Sequence, residues 1–310
     1  MPVLGLLLLC SCTVPVVGRN SEDKVLREAL SLAREVKAFE KTLAIEPTEA
    51  LARDGRGSLR PKSMLWIWLQ KLGTIATRGP VDVHIGIKFA LPQDQVPLDR
   101  IYHAPGYSQY VRRGNQFGDK EALITLDFAR ESTARKVTVI VHEDLHDDRN
   151  FALPWEEEEA LITPLGMIVA LRFLESRSDE AAAAEMKRAI EEERRLSREL
   201  LALIGEALQI FASAPLDEAR RAVFRRLDAY PAYKRYYDSQ LKDQDAERAL
   251  EAKLSHDLAY YKYFDRVVAL SEKIGELKVL IAELKKARPA GDGSGLDGFL
   301  ADLEARYRGR

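Results

Sequence analysis

Cysteine is almost absent: the chain of 310 residues has two, Cys10 and Cys12, both within the first dozen positions. The body of the chain therefore has neither an internal disulfide nor a cysteine nucleophile, and any metal must be held by histidines and carboxylates. Histidine is scarce too, limited to His84, His103, His142, His146 and His256. There is no basic excess, since 47 Lys+Arg face 49 Asp+Glu, so nucleic acid is not an expected partner. The apolar stretch from Val3 to Val17 is shorter than the ~20 residues of a membrane-spanning helix. A Gly-x-Ser-x-Gly elbow and a Gly-rich phosphate loop are also missing, which leaves a serine hydrolase unsupported. What is present, with hydrophobic residues at 46%, suffices for one large domain or two modest ones.

Val3 to Val17 reads as a signal-peptide core before an abruptly polar stretch from Asn20. Within it, Leu9-Cys10-Ser11-Cys12 resembles the bacterial lipobox, where a small residue precedes the cysteine that is acylated. That resemblance implies removal of residues 1–11, acylation of Cys12, a lipid anchor and a bacterial cell-envelope location. Thr13 after it is similar to the pattern sorted to an outer membrane. The first basic residue is Arg19, so the usual basic leader is missing, which points to a start placed too late.

The rest divides by pattern. Residues 12–78 form a helical N-terminal segment: an amphipathic helix over 21–44 opened by a Ser21 cap, a loop over 54–62, and a second helix expected from Met64 to Thr77. Residues 79–177 form a core with strand candidates at 81–91 and at 122–128 (ALITLDF). Residues 178–310 are almost wholly helical in pattern, with a break expected at Pro289–Gly295 before a short final helix. Their two long apolar stripes, ending near Phe211 and running from Ala246 to Lys286, suggest a hairpin of arms open to a protein partner or packed on themselves. The fold class expected is mostly α with a short sheet.

The chemistry concentrates in His142-Glu143-Asp144-Leu145-His146, an HExxH pattern. On a helix, residues i and i+4 share a face, so both imidazoles can converge on one ion while Glu143 reaches the attacking water. The β-branched run Val137–Val141 argues for a strand. Ser132 and Thr133 as a cap, with Val137, Val141 and Leu145 as an apolar stripe, argue for the helix. The competing reading is a surface helix with exposed His142, His146, Asp144, Asp147 and Asp148.

A hydrolytic zinc site needs a third ligand, and the run Glu156–Glu159 supplies candidates. Here the chain, over roughly residues 120–175, resembles the gluzincin metallopeptidases, in which a ligand glutamate follows HExxH on a second helix. It is similar more narrowly to bacterial aminopeptidase-type and lipoprotein zincins with a short gap. The resemblance implies an α+β zincin-like catalytic core, zinc (Zn2+) as cofactor, peptide or protein as substrate, and Glu159, thirteen residues after His146, as third ligand. Thr163-Pro164 would equally suit a helix start, and then Glu157 or Glu158 could serve instead. The implied reaction is zinc-dependent peptide hydrolysis with Glu143 as proton carrier; the alternative is a non-catalytic helical scaffold or adaptor lipoprotein. His84 and His103 have no spaced partner. Two further expectations concern catalysis. ALITLDF forms a sheet edge beside the cleft and binds extended peptide. Tyr260, Tyr263 or His256, at i, i+3 and i+4 spacings on one helical face, donates to the oxyanion, with Tyr260 first.

Overall fold

The computed structural model describes residues 17–55, 64–76, 89–90, 105–114, 122–146, 148, 151, 153–288 and 295–308. Cys12 with its signal core, His84 and His103 lie outside them. In chain order the elements are α1 (Val17–Thr42), β1 (Met64–Lys71), β2 (Phe89–Ala90), β3 (Tyr107–Gly114), α2 (Leu126–Ala129), α3 (Thr133–His146) and α4 (Trp155–Ser176). Then follow α5 (Glu180–Ser213), α6 (Leu216–Arg226), α7 (Pro231–Gln240), α8 (Leu250–Tyr261), α9 (Phe264–Ile274), α10 (Leu277–Leu284) and α11 (Gly295–Arg306). The chain is mostly α, with one small antiparallel sheet of order β2-β1-β3. No helix among the described residues is long and apolar enough to cross a membrane.

The centre of the fold is α4, which from Ala160 to Leu171 is apolar on almost every side, as an enclosed stretch of helix must be. It packs against α3, α5, α8, α9 and α10. Leu161, Ile162, Leu165, Val169, Ala170 and Leu174 have no exposed surface. Pro164 lies inside this helix, which starts at Trp155. The alternative start at Thr163-Pro164 is thus excluded: burying two further turns outweighs the roughly 3 kcal/mol that an interior proline costs. One apolar cluster joins α1, α3, α4, the first part of α5, α9, α10 and α11. A second joins the sheet to the later part of α5, α6, α7 and α8. The packing therefore runs across residue 177 in both directions.

Three elements differ from expectation. Met64–Lys71 is a strand, not the start of a helix: Ile67, Trp68 and Leu69 are all buried, and a short apolar run enclosed on both faces has no period that separates strand from helix. ALITLDF is not a strand. Ile124 makes a single parallel bridge to Asp54, and the chain then turns into α2 with Thr125 as its cap. The substrate-edge role expected for it falls with that. Of the 81–91 strand candidate only Phe89–Ala90 lies within the described residues. The second long arm is broken into α8, α9 and α10. Ser197 Oγ donates to the Tyr261 carbonyl at the first break, at 2.8 Å, and Gly275 ends α9 with φ 72°, a conformation glycine adopts without a side-chain clash.

Every residue of α8 from Leu250 to Asp257 is buried, charged ones included, and each charge is paired. Glu251 accepts from Arg220 Nε at 2.7 Å and from the Gly73 amide at 3.1 Å. Asp257 accepts from Lys253 and, at 2.8 Å, from the Tyr233 hydroxyl. On the facing surface of α5, burial pushes the Glu193 carboxyl up to about 7, against the lowering effect of a hydrogen bond with Tyr261. Its ordinary value is 4.5, so between these limits the folded state holds a proton that the unfolded state has released, and stability falls as pH rises through that window. Glu193→Gln removes the penalty. Urea titrations at pH 5 and pH 8 should show wild type losing on the order of 2 kcal/mol relative to this variant, after a discount for the water that still reaches the side chain. Parallel pH profiles would contradict the assignment.

Candidate metal centre

Helix α3 forms despite its β-branched run because its start is capped and its inner face enclosed. Ser132 Oγ accepts from the Arg135 amide at 3.2 Å, and Val137, Val141 and Leu145 are wholly buried. One helical turn sets His142 and His146 side by side, with ring centroids 4.8 Å apart and planes at 89°. Against them lies α4 at close range. A carbon added to Gly166 would stand 3.6 Å from both Cα and Cβ of His142. Glu159 is two turns before Gly166 on the same face, which aims its carboxylate at the histidine pair.

Glu159 lies between the two imidazoles. One of its carboxylate oxygens is 3.3 Å from His142 Nε2 and the other is 3.2 Å from His146 Nε2. Ligand atoms of His142, His146 and Glu159 all fall within 4.8 Å of one another, and this group could hold a metal ion. Glu159 is 4% exposed, so its charge is screened by little besides these partners. Glu158 takes a different position: its Oε2 is 3.1 Å from His146 Nδ1, the nitrogen turned away from Glu159. A carboxylate accepting from Nδ1–H leaves the lone pair on Nε2, the tautomer that a metal ligand requires. Glu157 makes neither contact; its Oε1 is 3.7 Å from where a carbon added to Gly295 would stand. The alternatives within the glutamate run are thereby separated by which nitrogen each one meets.

The electrostatics favour positive charge between α3 and α4. Burial disfavours the His146 imidazolium, but its hydrogen bonds to the Glu158 and Glu159 carboxylates outweigh this and push the group up to about 10. Burial likewise opposes the Glu159 charge, yet His142 and His146 hold its carboxyl well below the usual carboxylate range. Glu143 follows the opposite rule. Burial raises its carboxyl, with the charges of His142 and His146 acting against the rise. A carboxylate raised in this way is a better proton acceptor than one in water.

Sequence reasoning missed what holds the motif in place. Asp144 and Asp148 are not exposed, as a surface-helix reading would have them, but 0% and 1% exposed. Lys37 Nζ of α1 donates to both oxygens of Asp144, at 2.6 and 2.5 Å, and the Thr48 amide and hydroxyl donate to Oδ1 at 2.9 and 2.6 Å. Asp148 accepts from Lys285 Nζ at 2.6 Å and from the Glu46 amide at 3.1 Å. Burial and the Asp144 charge hold the nearby Glu40 carboxyl well above its ordinary range. The signal available was the i, i+4 spacing of Asp144 and Asp148, which repeats the histidine spacing, with Asp144 on α3 and Asp148 just past its end. Removing the Lys37 charge leaves Asp144 buried with only the Thr48 donors. Lys37→Met should lower the unfolding free energy by about 3 kcal/mol, read from the denaturant midpoint; a change within experimental error would mean that Thr48 alone satisfies Asp144.

The three oxyanion candidates do not share one face. Tyr260 is partly buried on α8 and meets the Trp155 ring edge-on, with centroids 6.2 Å apart. His256 is buried beneath it, 4.9 Å from the Tyr260 centroid, with Nδ1 3.0 Å from Asp257 Oδ1 and its ring edge-on to Trp68 and Tyr110. Tyr263 lies past the break that ends α8, buried, with Lys262 and Arg266 over its ring. Trp155, the first residue of α4, is thus what connects Tyr260 to the helix bearing the glutamates. Comparisons of the chain with family models, curated proteins and solved structures return no match.

Proposed function

We propose that the chain is a zinc-dependent peptidase. The observation that carries this reading is the placement of one buried carboxylate, Glu159, against the Nε2 atoms of two histidines one helical turn apart, with Glu143 beside them. Two imidazoles and a carboxylate are the donor set of hydrolytic zinc sites, which keep a further position open for water. The residues fit that ion in charge as well. Among the described residues Glu158 and Glu159 pair with the two imidazoles and Glu143 lies close to both, and the paired carboxylates push His146 up to about 10.

His142, His146 and Glu159 would hold the ion, and bound there it supplies Lewis acidity to the attacked carbonyl and lowers the pKa of the attacking water. Glu143 does the proton work. It takes a proton from that water as the new C–O bond forms, holds it, and delivers it to the departing nitrogen as the C–N bond breaks, so that acid and amine are released. Glu158 accepts from His146 Nδ1–H and keeps that ring in its ligand tautomer. The Tyr260 hydroxyl and His256 are the proposed donors to the oxyanion. Acylation of Cys12 would place this activity at the bacterial cell envelope, and mass spectrometry of the native N-terminus checks it.

The test is metal content together with cleavage. Full-length protein prepared in zinc without chelator should carry one zinc per chain and cleave members of a mixed peptide library, with cleavage lost on chelation. One zinc per chain with no cleavage of any member would leave a metal-stabilised scaffold. Absence of zinc would remove the reading altogether.

A further inference from the structure

We propose that Trp155, backed by Trp68 and Tyr260, is the specificity wall of the metal centre and takes a large apolar side chain of the peptide next to the bond that is cut. The inference deepens the peptidase reading and rests on it for the identity of the ligand. Its starting point is position along α4. Trp155 precedes Glu158 by three residues and Glu159 by four, the two spacings that put side chains on one helical face about a turn apart. Glu158 and Glu159 are spent on the histidines, so the indole is the next group a molecule held at the metal would meet on that side.

Trp155 is 42% exposed at this place, whereas the aromatics behind it are covered. Trp68 is 9% exposed and lies with its ring centroid 5.8 Å from that of Trp155, tilted by 40°. Tyr260 meets Trp155 edge-on on another side. The indole is therefore braced from two directions and still 42% exposed. A braced aromatic loses little freedom when a second apolar group covers it, which suits it to binding.

The chemistry of the wall selects its occupant. Glu158 and Glu159 are engaged by His142 and His146, and Lys253 is paired with Asp257 beneath His256. A carboxylate side chain on the substrate would meet aromatic faces and two carboxylates. A large apolar or aromatic side chain buries surface against the indole and leaves no polar group unpaired. A cationic side chain could also stack on an indole, and the experiment separates this from the apolar occupant.

The probes are five otherwise identical hexapeptides with Phe, Leu, Ala, Arg or Asp beside the central bond. Binding is measured by calorimetry on zinc-loaded Glu143→Gln protein, and kcat/KM on zinc-loaded wild type. The Phe and Leu peptides should bind at least about tenfold more tightly than the Ala, Arg and Asp peptides, the scale that a hydrophobic pocket provides. Adding Trp155→Ala should reduce that preference to within about twofold, and Trp155→Phe should restore most of it. Unchanged zinc content in both variants shows that the centre is intact. A preference that survives Trp155→Ala, a preference for Arg, or no binding of any peptide overturns the wall. The two proposals fail separately. Trp155-dependent binding without cleavage by wild type would sink the peptidase reading alone, and cleavage whose preference ignores Trp155 would sink the wall alone.

Discussion

Replacing Glu143 by Gln is expected to leave one zinc per chain and to lower kcat for peptide cleavage by about 10²- to 10⁴-fold, the range for losing a positioned general acid–base group. Gln keeps the shape and part of the hydrogen bonding but cannot carry the proton from water to the leaving nitrogen. Glu143 touches neither Nε2 in the way Glu159 does, which is why metal content should not follow activity. Without the ion, burial holds the Glu143 carboxyl above its ordinary value of 4.5, which makes it a better proton acceptor than a carboxylate in water. Activity in Glu143→Gln equal to wild type would dismiss the proton-carrier role; loss of zinc with loss of activity would reassign Glu143 as a ligand.

The second large effect is on affinity for the metal. His142→Ala, His146→Ala and Glu159→Ala should each lower zinc affinity by three orders of magnitude or more, taking the loss of one ligand bond as about 4 kcal/mol or above in a buried site. Glu158→Gln should cost about 10- to 100-fold, the scale of an outer partner that orients a ligand histidine. Glu157→Ala should have no measurable effect, because its carboxylate meets neither histidine. Competition with a chromophoric chelator measures all five variants on one scale. Equal, mild losses at Glu157, Glu158 and Glu159 would instead describe a solvated first turn that owes its acidic residues to the helix dipole.

The ligand helix was legible because its information is local. An i, i+4 histidine pair, a Ser132 cap and a Val137–Val141–Leu145 stripe are properties of one fourteen-residue helix, and they hold whatever packs against it. The mostly helical class was legible for the same reason, as was α1, whose period is unambiguous. The errors fell where period carries no information or where distant residues decide. Met64–Lys71 has a short apolar run that either a strand or a helix could bury, and only its pairing with Tyr107–Gly114 settles which. The break after Tyr261 has no glycine or proline to announce it.

Sequence by itself determined that a metal here must use histidine and carboxylate, that His142 and His146 share a face, and that an acidic run follows within reach. Tertiary structure alone decided that Glu159 meets both Nε2 atoms while Glu158 takes Nδ1, since that depends on how α4 is rotated against α3, through the close approach at Gly166. It alone buried Asp144 on a lysine 107 residues earlier in the chain, and it alone brought Trp68 of the sheet against Trp155. The physical reason is common to all three. Helical periodicity fixes which residues lie together on one element, but the free energy that pairs one element with another is summed over the whole buried surface, and no local pattern records it.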